Sequence, residues 1–181
     1  VRYFLLGGIS AYADGDWSTE RFEEFYTAHL ANGIGNLTSR VLTMIEKYAD
    51  GVIPQGTESH DASALWTAYG QALAAFKFDD VVSLTQSYVG KLDALINDTK
   101  PWEKAKAGED ISDLLYTLAE SLRMLAILHL LIIPAAAEKI LNQLGVDIAT
   151  LESLDVESQW GRLKPGTKVE KGEALFPRLE K

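Results

Sequence analysis

The feature that most constrains the fold of this chain is a stripe of apolar side chains between residues 29 and 48. These residues recur at steps of three and four, which places them on one face of an α-helix. The stripe consists of Leu30, Ile34, Leu37, Val41, Met44, Ile45 and Tyr48. Aromatic residues continue it upstream to Ser18, a plausible N-cap, so the pattern predicts one helix from about residue 18 to about Asp50.

The opposite face of this helix is polar without being uniformly charged. Asn36 and Arg40 are four residues apart, so their side chains project from neighbouring turns of one face. An amide beside a guanidinium offers donors and acceptors to the edge of a planar ligand, whereas the simpler interpretation is a solvated helix face. Gly33 and Gly35 interrupt the helix. Close packing against a neighbouring helix explains them better than room for a nucleic-acid backbone.

The rest of the chain predicts further helices separated by turn signals. They cover residues 61–76, 78–96, 110–129 and 135–144, with a short helical piece at 101–106. Asn97, Asp98 and Thr99 are expected to end the second of these and to cap the short piece after it. The inward face of the first is expected to carry Leu65, Trp66, Tyr69, Leu73 and Phe76. The sequence therefore predicts an all-α protein, a bundle of about five principal helices followed by an irregular C-terminal tail. In that tail Trp160 is expected to anchor the chain, and residues 167–169 and 175–176 to be extended.

Composition limits the functions open to the chain. With 181 residues and 47% hydrophobic content it can form one well-buried core. Its formal net charge of −9 argues against non-specific nucleic-acid binding, which draws most of its affinity from basic side chains. A small base-reading site remains compatible with that charge, and its binding should be weak and salt-sensitive. The lack of an apolar run of about 18 residues predicts no membrane span, and the lack of cysteine fits a cytoplasmic protein.

Motifs for catalysis or metal binding are not found in the sequence. A di-metal helical bundle needs Glu-x-x-His pairs, and the chain has none. His29, His60 and His129 are far apart and lack the spacing of metal ligands. The expectation is therefore no catalytic residue, no metal and no cofactor within this chain.

Trp102 is the aromatic residue with the most unusual surroundings. It directly follows Pro101 and is flanked by charged residues: Lys100, Glu103, Lys104 and Lys106. One interpretation is an indole that plugs the gap between two helix ends. The other is an exposed platform, because single-stranded RNA is read by stacking splayed bases on aromatic side chains. Spacing alone does not decide between them.

Three separated stretches, in order, resemble the anticodon-binding domain of methionyl-tRNA synthetases. The first holds an N-L-x-S-R core and resembles the opening helix of that domain, the second holds K-P-W, and the third closes the chain. They are HLANGIGNLTSR from His29, NDTKPWEKAK from Asn97 and LKPGTKVEKGEALFPRLE from Leu163. Because the matches span nearly the whole chain, the sequence is identified as a member of this family, which implies a helical domain that recognises an anticodon.

The resemblance also implies roles for individual side chains. The Trp of K-P-W falls on Trp102, which should stack on the first base of the CAU anticodon. The Asn and Arg of N-L-x-S-R fall on Asn36 and Arg40, which should bond that cytosine and its neighbours. Three lysines are expected to meet phosphates, although solvated surface lysines are commoner: Lys100, Lys104 and Lys106.

The same resemblance predicts how the chain is divided and what it belongs to. Residues 1–17 are expected to be a remnant of the segment after a catalytic domain, 18–145 the anticodon-binding bundle, and 146–181 a tail folding back toward that domain. The complete enzyme joins methionine to its tRNA with ATP, and some members hold zinc. Those cofactors are expected outside this chain, which should not aminoacylate alone. Its implied partners are the anticodon loop of tRNA(Met) and the catalytic domain of the same protein, in the cytoplasm.

Two other functions remain to be weighed against this one. A free-standing protein-interaction module would present the face around Asn36 to a protein partner rather than to RNA. A metal-carboxylate enzyme would need bound metal, which the ligand spacing does not support.

Overall fold

The computed structural model describes residues 1–10, 12, 14–56 and 62–179, and over these ranges the protein is all-α. The helices are α1 (Arg2–Gly7), α2 (Thr19–Phe25), α3 (Gly35–Tyr48), α4 (Ser63–Ala74), α5 (Phe78–Thr99), α6 (Pro101–Lys106), α7 (Ser112–His129), α8 (Pro134–Gln143) and α9 (Leu154–Glu157). A π-helical segment, Tyr26–Ile34, joins α2 to α3, and a 3-10 turn, Ile148–Thr150, follows α8. Within the described ranges five helices reach ten residues, namely α3, α4, α5, α7 and α8. The predicted all-α bundle is confirmed.

Helix α7 forms the centre of the bundle. Every residue from Leu115 to His129 is buried, as expected for a helix that is largely apolar on all sides. Helices α3, α5 and α8 pack against it, while α1 and α4 pack on α5. None of the helices in the described part of the chain combines the length and apolar character that crossing a bilayer requires.

The long helix predicted from residue 18 to Asp50 is present but is not one continuous α-helix. Its start is confirmed, since the Ser18 hydroxyl accepts a hydrogen bond from the Arg21 backbone N–H at 3.1 Å. Beyond α2 the chain becomes π-helical and breaks at Gly33, whose φ of −90° and ψ of −113° are not helical. A Cβ on Gly33 would lie 3.4 Å from the amide oxygen of Gln86 in α5. This is an ordinary van der Waals distance, so packing against α5 does not by itself require a glycine here, and the close-packing interpretation of Gly33 stays a prediction.

Two helix ends differ from the sequence-based expectation. Helix α5 continues through the three polar residues expected to end it and stops at Thr99, because Lys100 adopts a left-handed conformation with φ 45°. Phe76, expected to face inward, is 67% exposed. Helix α4 ends at Ala74 and Phe76 has a φ of 57°, so helical spacing no longer decides where its side chain points. The predicted start of that helix at residue 61 lies outside the described residues.

The C-terminal tail packs on the bundle. Lys168 forms an isolated antiparallel bridge with Val52, which agrees with an extended piece at 167–169. Leu163 and Val169 are buried, and Trp160, the expected anchor, is half-buried. Residues 175–176 form no strand. The direction of the tail relative to a catalytic domain stays a prediction, as do the boundaries of the three parts of the chain.

A buried charged network fastens the start of this tail to α7. The Arg123 guanidinium donates to Glu120 and Glu157 at 2.8 Å each. The Glu120 carboxylate in turn accepts hydrogen bonds from the backbone N–H groups of Gly161, Arg162 and Leu163 at 3.0, 3.1 and 2.9 Å. The sequence patterns did not predict this network. The signal in the sequence was a Glu and an Arg three residues apart among the leucines of α7.

Candidate nucleic-acid interface

Helix α3 divides its residues between the core and a polar face that carries Asn36 and Arg40. Leu37, Val41 and Ile45 point into the core and fix the rotation of the helix. Asn36 is therefore exposed and Arg40 only partly buried. The spacing of four residues places them one turn apart, as predicted.

Arg40 is anchored to α5. One terminal nitrogen of its guanidinium, Nη1, donates to Asp93 Oδ1 at 2.5 Å, and the other, Nη2, donates to Asn97 Oδ1 at 2.8 Å. The remaining N–H groups make no hydrogen bond to the residues the structure describes. A planar guanidinium held in this way is oriented in advance and keeps donors for a ligand.

Burial and the neighbouring Arg40 have opposite effects on the carboxyl group of Asp93. Burial raises the pKa of its carboxyl above the usual value, although the charge and the hydrogen bond of Arg40 act to lower that pKa. Desolvation thus outweighs the ion pair, because the carboxylate lies between two helices. The pair contributes little net stability by this reasoning, and its evident effect is to fix the direction of the Arg40 side chain.

The junction between α5 and α6 positions Trp102. Lys100 caps α5 in the left-handed conformation, with its N–H donating to the Ile96 carbonyl at 3.1 Å. Pro101 then opens α6, where its missing N–H is not needed, and is itself buried. Trp102 is 43% exposed. This exposure favours a stacking platform over an indole that plugs a gap.

The structure brings the polar face of α3 to the end of α5 from which Trp102 follows. The contact is the hydrogen bond from Arg40 to Asn97, five residues before the tryptophan. Sequence reasoning missed Asp93 and Asn97 as the partners of Arg40. Asp93 and Asn97 are four residues apart on α5, as Asn36 and Arg40 are on α3. This shared spacing was the sequence feature that could have indicated them as partners.

The three lysines near Trp102 are exposed. Lys100 pairs with Glu103 at 3.3 Å, so part of its charge is compensated, while Lys104 and Lys106 extend from the last turn of α6. Within the described residues no group of three or more His, Cys, Asp or Glu side chains could hold a metal ion. His60, one of the histidines considered from the sequence, lies outside those residues.

Comparison with known proteins identifies the class and then the family. A sequence model described as the "Anticodon binding domain of methionyl tRNA ligase" matches residues 60–181. The fold and the match define a helical anticodon-binding domain. The chain belongs to the methionyl-tRNA ligase family of these domains, which confirms the predicted family and favours it over a free-standing protein-interaction module.

Relatives and solved structures agree with this assignment. Methionine–tRNA ligase of Caldanaerobacter subterraneus is 36% identical over 194 residues, covering 99% of this chain and 30% of that protein. The Bacillus subtilis ligase is 35% identical over 192 residues, covering 99% and 29%. The chain thus spans about 30% of the length of the curated relatives it matches.

The fold is also found in a solved enzyme of this family. The apo form of Mycobacterium tuberculosis methionyl-tRNA synthetase superposes with a TM-score of 0.89 at 27% identity, over 99% of this chain and 38% of that one. Its complex with methionyl-adenylate gives a TM-score of 0.79 at 30% identity, over 98% and 37%. The helical bundle described above is therefore the family's fold.

Proposed function

We propose that this domain binds the anticodon loop of a methionine tRNA and reads its CAU triplet. The protein it belongs to would join methionine to that tRNA with ATP. The catalytic domain, ATP and, in some members, zinc belong to the remainder of such a ligase. This domain supplies recognition and would not aminoacylate by itself.

The observation that carries the proposal is the anchored guanidinium of Arg40 next to the helix end that presents Trp102. Asp93 and Asn97 hold the guanidinium from one side, and the indole is accessible to an unstacked base. Stacking on an aromatic ring combined with hydrogen bonds to the base edge is the usual way in which proteins read single-stranded RNA.

The chemistry of the pair Asn36 and Arg40 suits cytosine. The pairing edge of cytosine presents two acceptors and one amino donor, whereas uracil presents a second carbonyl in place of the amino group. Arg40 supplies only donors, and the amide of Asn36 supplies both a donor and an acceptor. An Asn36 oxygen that accepts from the amino group would therefore distinguish cytosine from uracil.

Charge sets the expected strength of binding. The chain carries a net charge of −9, so phosphate contacts must come from a local group of cations. Lys104 and Lys106 are exposed beside Trp102, and Lys100 shares its charge with Glu103. Affinity of the isolated domain for RNA should fall as salt rises, because each phosphate contact releases counterions.

The decisive measurement is titration of an RNA stem-loop carrying CAU against the domain and its variants. Trp102→Ala should weaken binding by about 1–3 kcal/mol, the usual contribution of a base stacked on an aromatic side chain. Phe76→Ala is the matched control, since Phe76 is also an exposed aromatic residue. It precedes α5 whereas Trp102 follows it, and a helix of 22 residues separates its ends by about 33 Å.

Base specificity is measured with a second stem-loop in which uridine replaces the first anticodon base. The domain should prefer CAU, and Asn36→Ala should reduce that preference more than it reduces affinity for the uridine loop. Equal binding of the CAU loop by the unmodified domain, Trp102→Ala and Arg40→Ala would remove the site. Equal losses in Trp102→Ala and Phe76→Ala would point to a general surface effect instead.

A further inference from the structure

The first turn of α3 follows directly on a break in the helix. The π-helical segment Tyr26–Ile34 contains Gly33, whose backbone is not helical. Across this break the Gly35 N–H donates to the Leu30 carbonyl, five residues earlier, whereas an α-helix uses the carbonyl four residues earlier. The residue before α3 supplies no side-chain cap. The start of α3 therefore depends on contacts from other parts of the chain to hold its position.

Asn36 and Arg40 differ in what orients their side chains. The Arg40 guanidinium is fixed by hydrogen bonds to Asp93 and Asn97 in α5. Asn36 lies in the first turn of α3 and its side chain is exposed. The direction of its amide therefore follows the backbone of that first turn, which comes directly after the break.

The C-terminal tail lies across this break and contacts the chain on both sides of it. After the break, Phe176 packs on Gly35, where an added Cβ would lie 3.1 Å from the aromatic ring. Before the break, the Tyr26 hydroxyl donates to the Pro177 carbonyl at 2.8 Å. The rings of Tyr26 and Phe176 also meet edge to face, with centroids 6.2 Å apart. Two adjacent tail residues thus connect the π-helical segment to the first turn of α3.

Gly35 is a position where close approach requires a glycine. An added Cβ would lie 2.8 Å from the Leu30 carbonyl oxygen as well as 3.1 Å from Phe176. The carbonyl belongs to the backbone, so it cannot rotate away as a side chain does. Any side chain at Gly35 would therefore displace the tail or lengthen the hydrogen bond that spans the break.

Two further contacts hold the same region. Lys171 Nζ donates to the Thr43 hydroxyl at 2.8 Å, which attaches the tail to α3 before it crosses the break. Gln86 Nε2 of α5 donates to the His29 carbonyl at 3.2 Å, within the π-helical segment. The π-helical segment is thus held by α5, and the tail joins this segment to α3.

We propose that the tail, through its contacts with Tyr26 and Gly35, positions the amide of Asn36 for base discrimination. This inference rests on the proposed function, in which Asn36 distinguishes cytosine from uracil. The contribution of Arg40 does not depend on these contacts, because α5 holds its guanidinium. Loosening the tail should therefore weaken the preference for cytosine more than it weakens RNA binding as a whole.

Two substitutions loosen the tail after the break, and each has a matched control. Phe176→Ala removes the ring that packs on Gly35, and Leu179→Ala is its control because Leu179 is an exposed apolar residue of the same tail. Gly35→Ala adds the methyl group that the close approach excludes. Gly70→Ala is the control for this change, since an added Cβ at Gly70 meets nothing within 4 Å.

A third substitution loosens the tail before the break, away from the RNA. Tyr26→Phe keeps the ring and removes the hydroxyl that donates to Pro177. Tyr26 lies outside the cleft that the tail forms with α3 at Asn36, so its effect on base preference would act through the tail. Tyr12→Phe is the control, because the Tyr12 hydroxyl also donates to a backbone carbonyl, that of Ala75.

The measurement is the ratio of affinities for two RNA stem-loops, one with CAU and one with uridine in place of the first anticodon base. Phe176→Ala and Gly35→Ala should lower this ratio by about fivefold, the usual net contribution of one hydrogen bond. Tyr26→Phe should lower it by about twofold, since it loses a single contact of the tail. The three controls should keep the ratio of the unmodified domain.

Double-mutant cycles separate positioning from general destabilisation. In the Asn36→Ala background, Phe176→Ala should leave the ratio unchanged, because the amide that the tail positions is already gone. In the Arg40→Ala background it should still lower the ratio by the same factor. If Phe176→Ala lowers the ratio equally with and without Asn36, the tail does not act through this asparagine and the inference is overturned.

Amide hydrogen exchange without RNA gives an independent measurement. Exchange in residues 30–36 should be faster in Phe176→Ala than in Leu179→Ala, because the first turn of α3 loses a contact that holds it. Equal exchange in the two variants would contradict the role of the tail. Should Gly35→Ala fail to fold, Tyr26→Phe still measures the same effect with the loss of one oxygen atom.

The failures of the two proposals are distinguishable. If Asn36→Ala lowers the preference for CAU while Phe176→Ala and Leu179→Ala give equal ratios, the inference is overturned and the proposed function stands. If the unmodified domain binds neither loop, or binds both equally, the reading of the first base fails and the inference fails with it.

Discussion

Arg123 and Arg40 lie on neighbouring helices of one bundle and are used in opposite ways. Arg123 in α7 is 1% exposed, and its nitrogens donate to both oxygens of Glu120, to the Glu157 carboxylate and to the Glu157 and Gln159 carbonyls. Arg40 in α3 has a side chain that is 28% exposed and makes two hydrogen bonds, to Asp93 and Asn97.

The two arginines differ in burial, and this difference assigns Arg123 a structural role and leaves Arg40 available for binding a ligand. A guanidinium that is buried and makes five hydrogen bonds to neighbouring residues is not accessible to a ligand. Arg123 instead fastens the tail to the core. A guanidinium held from one side keeps its orientation and retains donors. Arg40 is of this second kind, and its position on a half-exposed face is what makes it available to a ligand.

The largest effect on stability is expected from Arg123→Ala. Removing one partner of a buried ion pair leaves the other uncompensated and costs about 3–5 kcal/mol. Here Glu120 and Glu157 would both remain buried. Unfolding in urea measures the change, with Lys77→Ala as the control, because Lys77 pairs only with Asp80 at the surface among the described residues. A loss of similar size in the two variants would show that the buried ion pairs of Arg123 contribute no more to stability than a surface pair does.

The next effect concerns another buried polar residue of α7, His129. Burial lowers the pKa of His129 to about 4, from about 6.5 in the unfolded chain. Between these values the unfolded state binds more protons, so stability is lost as pH falls through this window, by about 3 kcal/mol in total. His129→Gln should flatten the pH dependence of the unfolding free energy between pH 6.5 and 4. An unchanged slope would show that other groups cause the acid sensitivity.

The smallest effect on stability is expected for Arg40, whose guanidinium is only partly buried. Arg40→Ala should change the unfolding free energy by less than about 1 kcal/mol, the usual range for a partly exposed ion pair. In the titration with the CAU stem-loop, however, the same variant should bind measurably more weakly than the unmodified domain. Urea unfolding and RNA binding measured on one preparation provide the comparison. A loss of stability as large as that of Arg123→Ala would show Arg40 to be a structural residue.

The contacts that fix the candidate site lie beyond what spacing along the chain could predict. Asn36, Arg40 and Trp102 came from motifs, and the exposure of Trp102 agrees with its charged neighbours. Asp93 and Asn97 could not be assigned to Arg40, because a hydrogen bond between residues more than fifty positions apart depends on how two helices rotate against each other.

The sequence by itself determined the helical class, the helix that carries Asn36 and Arg40, and the family. These are properties of periodicity and of local motifs, since a helix repeats every 3.6 residues whatever surrounds it. Tertiary structure alone decided that helix α5 runs to Thr99 and that Lys100 turns the chain there. It also decided that the Arg123 side chain is buried while the Arg40 side chain is partly exposed. The position of the tail beside α3, which forms a cleft, was likewise decided by tertiary structure. These depend on which surfaces meet, and burial sets whether a charged side chain is satisfied by its neighbours or left for a ligand.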